Sequence, residues 1–558
     1  MPDYINEHNV EELEAALERG SYDQRIEAMC ALPPVAPWNI IAITFTNKAA
    51  NEMKSRIADI VGEQTARHLW MGTFHSIFAR ILRIEAAAVG FSSNFTIYDT
   101  ADAKSKIKDI VKELGLNDKY YTHKVLLSRI SKMKNSLVTP NSYEKRYDLQ
   151  EFDRLQNIPR FKEIYRIYMN QCHRANAMDF DDLLLYTNVL FRDNAEILKK
   201  YQDIFKFILV DEYQDTNFAQ HLIVTKLAEQ HHKLCVVGDD AQSIYSFRGA
   251  NIDNILKFKD VYPEYRLFKL EQNYRSTQSI VNAANSLIAK NKGQIRKNVF
   301  SKNPVGSKIK VLSAMSDDEE SEKIGNIIRK DLKDYPYQDT AVLYRTRAQS
   351  RKIENDLLRN HIPYRIYGGM SFYDLKVVKD IFAYLRLISN PNDEEAFKRA
   401  IKYPKKGIGD TTLQKIKDEA IQKDISLWMV IADPLGFKLD VSAATIKKLA
   451  NFREKIQELS NLAATTNAYD LTERIIREFG IMEDLSQDSS PEGKENQRVA
   501  DEVLNSIHEF CEGADDSEPK DIDHYLQSVA LLTDMDRKTT DSDECTISWR
   551  PFWPRTSW

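Results

Sequence analysis

Residues 208–217, Ile-Leu-Val-Asp-Glu-Tyr-Gln-Asp-Thr-Asn, restrict the possible folds of this chain more than any other segment. An apolar run typical of a buried strand ends abruptly in two adjacent carboxylates, Asp211 and Glu212. Such a junction predicts an α/β fold, because parallel sheets bind their ligands at the carboxyl ends of the strands. One carboxylate can hold Mg²⁺ while its neighbour polarises an attacking water, which makes nucleotide hydrolysis the first hypothesis. The alternative is a solvated turn without a catalytic role.

A second segment repeats this design. Residues 234–250 run from the apolar stretch Leu-Cys-Val-Val into a polar loop that contains Gly238 and Gln242. Because parallel strands present their carboxyl ends at one edge of a sheet, both loops are expected to face one site. Two strand ends of this kind predict a nucleotide cleft.

The composition indicates a multidomain protein. The chain has 558 residues, of which 42% are hydrophobic and 29% are charged, and single cores stop growing at roughly 250–300 residues. No apolar run reaches the roughly 18 residues that a membrane span requires, so we expect no membrane partner and a cytoplasmic location. The net charge of −5 excludes a globally basic nucleic-acid-binding domain, so any DNA contact must come from local grooves.

The cysteines indicate neither a metal site nor a disulfide framework. They lie far apart and show no Cys-x-x-Cys spacing: Cys30, Cys172, Cys235, Cys511 and Cys545. Reduced thiols, mostly buried, are the expectation.

Periodicity divides the chain into α/β and all-helical segments. Helical patterns with many charged residues fill 100–205 and extend from about 375 almost to the end, while 486–494 is expected to be a flexible loop. The predicted strands are 39–45, 265–270, 308–312 and 340–344, together with those ending at 211 and 238, and the predicted helices between them are 47–61, 319–332 and 349–360.

Both ends of the chain are unusual. Residues 1–34 form a Glu-rich helical pattern where a nucleotide-binding domain usually begins with a strand. The last ten residues contain three of the six tryptophans and show neither a helical nor a strand period. We interpret this tail as a sequence not selected for folding, with an aromatic docking motif as the alternative.

Several ordered blocks together resemble the UvrD/PcrA/Rep group of superfamily 1 DNA helicases over roughly residues 36–540. The blocks are Ile-Thr-Phe-Thr-Asn-Lys-Ala-Ala-Asn-Glu-Met (43–53), Gly-Thr-Phe-His-Ser (72–76), Ala-Met-Asp-Phe-Asp-Asp-Leu (177–183), Asp-Glu-Tyr-Gln-Asp-Thr (211–216), Gly-Asp-Asp-Ala-Gln-Ser-Ile-Tyr-Ser-Phe-Arg-Gly-Ala (238–250) and Gln-Asn-Tyr-Arg-Ser-Thr (272–277). No single block is specific, but their number and order are.

The resemblance implies RecA-like P-loop NTPase domains, built on parallel sheets with large all-helical insertions. The expected divisions are an atypical helical segment (1–34), a first RecA-like domain (35–95 and 186–272) with a helical insertion (96–185), an incomplete second RecA-like domain (273–375), a helical accessory domain (376–540) and the aberrant tail (541–558).

The resemblance also implies ATP and Mg²⁺ as ligands. Asp211 would bind Mg²⁺ and Glu212 would activate water, while Gln242 resembles the sensor of the γ-phosphate. Arg275 resembles the arginine that stabilises charge on the transferring phosphoryl group, with a surface ion pair as the alternative, and Tyr274 resembles the ring that stacks on adenine.

The same resemblance places single-stranded and duplex-junction DNA among the partners and leaves repair and replication proteins open. Binders of single strands interleave aromatic rings with polar and basic groups. The candidates are Phe45, Thr46, Asn47, Thr73, Phe74, His75, Tyr245, Phe247 and Arg248. The alternative is that Phe74 and Tyr245 are core aromatics and that His75 is a satisfied core histidine.

A turn at 404–412 is a candidate duplex contact. Its residues Lys405, Lys406, Gly407 and Gly409 combine basic side chains with glycines that permit close backbone approach to a phosphate. An ordinary turn between two helices is the alternative.

Two family features are missing from the sequence. It contains no Gly-x-x-x-x-Gly-Lys-Ser/Thr phosphate loop, since its only Gly-Lys pair, Gly493-Lys494, is followed by Glu495. The blocks that complete the second motor domain are also absent before the chain ends. We therefore expect an ATP-dependent 3′–5′ helicase present as an incomplete polypeptide without full activity. The alternatives are a non-catalytic module that binds DNA or a partner, and a mis-assembled reading frame without a stable fold.

Overall fold

The computed structural model describes residues 11–13, 15–16, 35–246, 249–331, 335–344, 347–367, 372–513, 519–530 and 545–549. The five described residues before 35 are helical, and the rest of 1–34 lies outside the described part. The strands of these ranges are β1 (Ile40–Thr44), β2 (Trp70–Thr73), β3 (Thr96–Tyr98), β4 (Ala177–Asp179), β5 (Phe207–Val210), β6 (Leu234–Val236), β7 (Gln272–Asn273), β8 (Phe300–Ser301), β9 (Ala341–Tyr344), β10 (Tyr364–Tyr367) and β11 (Cys545–Trp549).

The first sheet contains β5 and β6, the strands of segments 208–217 and 234–250. Its strand order is β2-β1-β5-β6, and all neighbours are parallel. The carboxyl ends of β5 and β6 therefore lie side by side at one edge, as the sequence predicts. The helices packed around this sheet are Asn47–Val61, Glu63–Arg67, Phe74–Ile84, Phe180–Asp193, Ala195–Ile204, Phe218–Ala228, Asp253–Leu256 and Phe258–Val261.

Apolar faces of the flanking helices close the core of this sheet. Ile43 and Val210 on neighbouring strands are almost fully buried, together with Phe78, Leu82 and Ile223 on the helices. Burying a side chain of this size contributes roughly 1.5–3 kcal/mol. The predicted α/β class with parallel sheets is confirmed.

A helical insertion lies between β3 and β4, which pair in parallel as a separate two-stranded sheet. Its core is centred on buried tyrosine and isoleucine side chains such as Ile107, Ile164 and Tyr165. Its helices are Thr100–Glu113, His123–Asn135, Pro140–Tyr143, Tyr147–Leu155 and Phe161–Arg174.

A second α/β segment has a three-stranded parallel sheet with the order β10-β11-β9. Strand β11 lies within the stretch 541–558 that is expected to be an aberrant tail. Of the last ten residues, only Trp549 belongs to this strand, and 550–558 lie outside the described residues. The helices of this segment are Gln278–Ile288, Asp317–Asn326 and Arg347–Arg359.

Two predicted strands do not form, one before this segment and one within it. Residues 265–270 and 308–312 adopt no regular structure, and Leu270 and Val311 are 86% and 92% exposed. Apolar alternation stabilises a strand only when a neighbour supplies the hydrogen bonds. The described residues offer these two segments no pairing strand.

The last large unit is all-helical, as the sequence predicts for the region after 375. Its core contains Ile381, Leu385, Phe397, Ile475 and Val503. The predicted loop 486–494 is shorter than expected, because a helix begins at Pro491, a residue suited to the first turn of a helix. The helices are Lys376–Ser389, Glu394–Ala400, Asp410–Lys423, Leu427–Ala432, Ala443–Ala463, Ala468–Phe479, Ile481–Ser486, Pro491–Gly513 and Ile522–Ala530.

Across the ranges that the structure describes, every helix is too short or too polar to cross a bilayer.

Candidate functional site

The carboxylates Asp211 and Glu212 lie directly beyond the carboxyl end of β5. The backbone N–H of Asp211 donates to the carbonyl oxygen of Ile43 on β1 at 2.8 Å, which holds the half-buried Asp211 side chain at the sheet edge. The Thr44 hydroxyl lies 3.5 Å from Oδ2 of Asp211. Mg²⁺ is typically held by one or two carboxylates together with phosphate and water oxygens. An exposed edge with one fixed carboxylate and an adjacent hydroxyl fits that requirement.

Glu212 has a left-handed backbone conformation, with φ of 51°. This region costs a non-glycine residue roughly 1–3 kcal/mol, so the surrounding structure must hold Glu212 in place. The conformation turns the exposed Glu212 side chain back over the loop, where Nε2 of Gln214 donates to its Oε2 at 2.8 Å. The carboxylate is therefore oriented before any ligand arrives.

Asp215 adds a third carboxyl group to this loop. Burial raises the pKa of Asp215 to about 7, and the nearby charge of Glu212 acts in the same direction. Its Oδ1 is buried and makes no hydrogen bond to any residue that the structure describes. Asp215 therefore keeps its proton more readily than an exposed aspartate does.

Gln242 lies on the loop that follows β6, as predicted for the phosphate sensor. Its exposed side chain donates to Oδ2 of Asp239 at 2.9 Å. The amide is therefore held close to the edge where Asp211 and Glu212 emerge.

Tyr274 and Arg275 follow β7, at the beginning of the second α/β segment. The Tyr274 ring is 77% exposed, and Asn273 accepts the backbone N–H of Arg275 at 3.0 Å. Among the described residues, no carboxylate lies within ion-pair distance of the exposed Arg275 guanidinium, so the alternative of a surface ion pair is not observed there. Both side chains are accessible to a ligand.

The threonines of the predicted DNA set cap helices. The Thr46 hydroxyl accepts the N–H of Ala49 at 3.1 Å, and Thr73 forms a reciprocal capping box with Ser76. Each cap fixes the start of a helix at the sheet edge, and Asn47 is the first residue of the helix that Thr46 caps.

Phe74 is a core residue, in agreement with the alternative interpretation, since it is only 1% exposed. The ring of Phe45 packs edge-on against it with centroids 5.5 Å apart and stays half-buried. Phe45 therefore remains a candidate for stacking on a base, as does Tyr245, which is also half-buried.

His75 packs against Phe180, with ring centroids 5.6 Å apart. Burial lowers the pKa of His75 to about 4 although its ring keeps some contact with solvent, so the imidazole is neutral at pH 7. A neutral ring can stack on a base but cannot neutralise a phosphate. The two other predicted DNA residues of the β6 loop, Phe247 and Arg248, lie outside the described residues.

The turn at 404–412 gives its two lysines different environments. Lys405 is exposed, whereas Lys406 points inward and donates to the carbonyl oxygens of Ala400, Tyr403 and Pro404 at 2.9, 3.0 and 3.0 Å. These internal contacts occupy the Lys406 ammonium, and its contact with DNA stays a prediction. Burial, with a further contribution from Lys455, lowers the pKa of Lys406 to about 7.

The glycines of this turn remain accessible. Gly407 has φ of 68°, a conformation that favours glycine, and Gly409 is the N-cap of the helix Asp410–Lys423. A side chain at Gly409 would meet no atom within 4 Å, which leaves room for a ligand backbone to approach. The accessible part of the predicted duplex site is therefore Lys405, Gly407 and Gly409.

Two residues to which the sequence analysis gave no role belong to the site. Gln214 is 1% exposed and touches Glu212, and Lys297 binds Asp239 and Asp240 beyond β6. Gln214 lies in the block 211–216 that resembles the family, so the sequence could have identified it. No local sequence pattern distinguishes Lys297.

Comparison with known proteins identifies the family. Residues 24–263 match the UvrD/REP helicase N-terminal domain, and residues 268–548 match the UvrD-like helicase C-terminal domain. The chain is 38% identical over 511 residues to the ATP-dependent DNA helicase PcrA of Staphylococcus aureus strain Mu50, covering 91% of this chain and 68% of that protein. It is 39% identical over 509 residues to the protein of the same name from Staphylococcus epidermidis strain ATCC 12228, with the same coverage. The chain belongs to the UvrD/PcrA-like family of DNA helicases.

Proposed function

We propose that this chain is an ATP-dependent 3′–5′ DNA helicase which translocates on single-stranded DNA, and that the 558-residue polypeptide turns over ATP only weakly. The observation that carries the proposal is the position of Glu212. Its carboxylate is held by Gln214 beside Asp211, at the shared edge of β5 and β6. A carboxylate oriented before the ligand binds is suited to accept a proton from an attacking water.

The roles of the other residues follow from their positions. Asp211 holds Mg²⁺, which when bound neutralises charge on the phosphate oxygens. Gln242 contacts the γ-phosphate, and the exposed Arg275 approaches from the second α/β segment to stabilise the charge that develops on the transferring group. Tyr274 stacks on adenine through its exposed ring.

A DNA track runs beside this site. The β1 and β2 ends contribute Phe45, Thr46 and Thr73, and the β6 loop contributes Tyr245. Stacking on an aromatic ring contributes roughly 1–3 kcal/mol per base, so a half-buried ring such as Phe45 can grip a single strand without sequence preference. The duplex ahead of the junction is held at Lys405, Gly407 and Gly409.

Weak turnover is proposed because of a feature of the sequence itself. The 558 residues contain no Gly-x-x-x-x-Gly-Lys-Ser/Thr string. Such a loop supplies backbone N–H groups and a lysine to the β- and γ-phosphates. Without these groups, Asp211, Gln242 and Arg275 hold the triphosphate alone. DNA binding without appreciable turnover is therefore the second candidate function, and the same experiment separates the two.

Strand displacement on partial duplexes with a 3′ or a 5′ single-stranded tail tests the proposal, with ATP hydrolysis measured in the same samples. We expect slow activity on the 3′-tailed substrate, at least about a hundredfold below that of the S. aureus PcrA relative under the same conditions, since losing several phosphate contacts costs on the order of 3 kcal/mol. A preference for the 5′ tail contradicts the polarity, and equal rates for the two proteins contradict the weak turnover. No nucleotide-dependent activity at all favours the second candidate.

Glu212→Gln is the variant that tests the site. It should abolish the residual hydrolysis and leave DNA affinity unchanged, because it removes the proton acceptor and keeps the shape. Glu229→Gln, an exposed site after the helix Phe218–Ala228, is the matched control. Hydrolysis retained by Glu212→Gln overturns the proposed role of Glu212.

A further inference from the structure

Gln214 connects the two loops at the sheet edge. It is 1% exposed, its Nε2 donates to Oε2 of Glu212 at 2.8 Å, and its Oε1 accepts the backbone N–H of Asp239 at 3.0 Å. Both polar atoms of a buried amide are thus satisfied, one by the loop after β5 and the other by the loop after β6. The side chain cannot move toward either loop without breaking its bond to the other.

The approach of the two loops depends on a glycine. A Cβ built on Gly238 would lie 2.6 Å from Oε1 of Gln214 and 2.8 Å from Cδ1 of Ile255. Contacts this short are not tolerated between packed atoms. The absence of a side chain at 238 therefore allows Gln214 to reach the backbone of Asp239.

Asp239 and its neighbour Asp240 connect this edge to the second α/β segment. The Lys297 ammonium donates to Oδ1 of Asp239 and, at 3.1 Å, to Oδ1 of Asp240. The backbone N–H of Ile295 donates to Oδ2 of Asp240 at 2.7 Å, and Gln242 donates to the remaining oxygen of Asp239 at 2.9 Å. Lys297 and Ile295 lie between the helix Gln278–Ile288 and β8, outside the first sheet.

The charges of this cluster reinforce one another. Burial alone would raise the pKa of Asp239, but hydrogen bonds from Lys297 and Gln242 lower it below its usual value. For Lys297, burial is outweighed by the bonds to the two aspartates, so its pKa is raised. The Lys297 side chain is 20% exposed and that of Asp240 only 3%, so water screens the Asp240 contact less than it would a surface pair.

We infer that Gln214 and Lys297 are positioning residues which couple the orientation of Glu212 to the position of the second α/β segment. The path runs from Lys297 to the Asp239 carboxylate, along the backbone of Asp239 to Gln214, and from Gln214 to the Glu212 carboxylate. A displacement of the segment that carries Lys297 pulls on Asp239, loosens the bond to Gln214 and releases Glu212. The functional meaning of this coupling rests on the role proposed for Glu212, but its existence does not.

Hydrogen–deuterium exchange of the full chain, without nucleotide or DNA, tests the coupling. In Lys297→Met, the Asp239 amide should exchange about tenfold faster, as expected for the loss of a charge-assisted hydrogen bond. The amide of Val237, which donates to Val210 within the first sheet at 2.8 Å, should keep its rate. Lys297→Arg retains the charge and several donors and should restore protection of Asp239 to within about threefold.

Two further variants make the result specific. Asp239→Asn removes the same ion pair from the other side and should reproduce the faster exchange, which keeps the test decisive if Lys297→Met does not fold. Lys257→Met removes the exposed ion pair between Lys257 and Asp253, and should change neither amide. Unchanged exchange at Asp239 in both Lys297→Met and Asp239→Asn, or an equal rise at Val237, overturns the inference.

This outcome is separable from failure of the proposed function. The exchange experiment involves no turnover, so it can succeed even where Glu212→Gln still hydrolyses ATP. That result supports the coupling and contradicts the proposed role of Glu212. Conversely, loss of hydrolysis in Glu212→Gln together with normal exchange in both Lys297→Met and Asp239→Asn supports the function and contradicts the coupling.

Discussion

The ammonium group of Lys106 donates to Oε2 of Glu394 at 2.9 Å, although the two residues are 288 positions apart and both are almost completely buried. Lys106 lies on the helix Thr100–Glu113 of the insertion, and Glu394 begins the helix Glu394–Ala400 of the last helical unit. Arg174 donates to the other carboxylate oxygen of Glu394 at 3.0 Å. The contact between these two helical units is thus built around desolvated charges, each of which requires its partner.

Replacing Lys106 with methionine should destabilise this contact strongly. The substitution keeps an apolar stem of similar length but leaves Glu394 buried with one cationic partner instead of two. Breaking a buried pair costs about 3–5 kcal/mol, and because Arg174 remains we expect about 2–3 kcal/mol from urea unfolding.

Lys108→Met on the same helix is the control for that substitution, because Lys108 is exposed. The double variant Lys106→Met/Glu394→Gln should be less destabilised than the sum of the two single changes, since it removes both charges. Additive effects would show that the two groups do not interact.

Asp102 should make the stability of the same contact depend on pH. Burial raises the pKa of Asp102 to about 7; Arg386 opposes this effect, and the carboxylates of Asp99, Asp393 and Glu395 support it. Because the folded value lies above the unfolded value of 3.8, the stabilising term is fully present below pH 3.8 and is lost as the pH rises through about 7.

Asp102→Asn removes the titration and keeps the shape of the side chain. The unfolding free energy of this variant minus that of wild type should rise by on the order of 1 kcal/mol between pH 5 and pH 8, because only wild type loses stability as Asp102 ionises. Unfolding free energies at several pH values provide the measurement, with the exposed Asp118→Asn as the control. A difference that stays constant with pH contradicts the assignment.

The parts of this fold that could be predicted from sequence are those whose determinants are local. The apolar runs before Asp211 and Gly238 predict strands because a fully buried parallel strand must be continuously apolar. Capping residues such as Thr46 and Asp179 lie within three residues of the amides that they bind. Strands and helix starts that depend on such short-range interactions can be predicted from a single sequence.

The failed predictions concern long-range partners. Residues 308–312 have the composition of a strand but no described neighbour to pair with, whereas β11, which is not among the predicted strands, lies between two strands. Lys406 has the sequence context of a DNA-binding turn, and the carbonyl oxygens that it contacts lie within six positions of it. The rings of Tyr384 and Phe479 that also surround it come from distant segments. For the same reason Lys297 could not be connected with Asp239, 58 positions away.

The neighbouring lysines 405 and 406 should respond to substitution in opposite ways. Lys406→Met removes the Nζ donor from the carbonyl oxygens of Ala400, Tyr403 and Pro404. The Tyr384 hydroxyl still donates to the first two, whereas the Pro404 oxygen is left unsatisfied, and we expect a loss of about 1–3 kcal/mol of unfolding free energy. Lys405→Met should change stability by less than about 0.5 kcal/mol, because that side chain is exposed.

Binding to a forked DNA by fluorescence anisotropy separates the two roles. Lys405→Met should weaken binding and reduce the slope of log affinity against log salt by about 1, the value for one lost phosphate contact. Lys406→Met, measured where it remains folded, should keep the salt slope of the wild type. A reduced slope for Lys406→Met would instead support the predicted contact between Lys406 and DNA.

Gly238→Ala adds only one methyl group, but it should force apart the loops that follow β5 and β6. The new methyl group would overlap Oε1 of Gln214 and the end of Ile255, at 2.6 and 2.8 Å. The Ile255 side chain can turn away, but Gln214 is held between Glu212 and the backbone of Asp239, so the loops must separate. Overpacking of this kind costs about 1–3 kcal/mol, and the Asp239 amide should exchange with deuterium faster than in wild type because Gln214 no longer accepts its proton.

Gly293→Ala, where a Cβ meets nothing within 4 Å and φ is not positive, should leave both quantities unchanged. If Gly238→Ala matches wild type in stability and in exchange, the close approach of the two loops is not what holds Gln214 against Glu212.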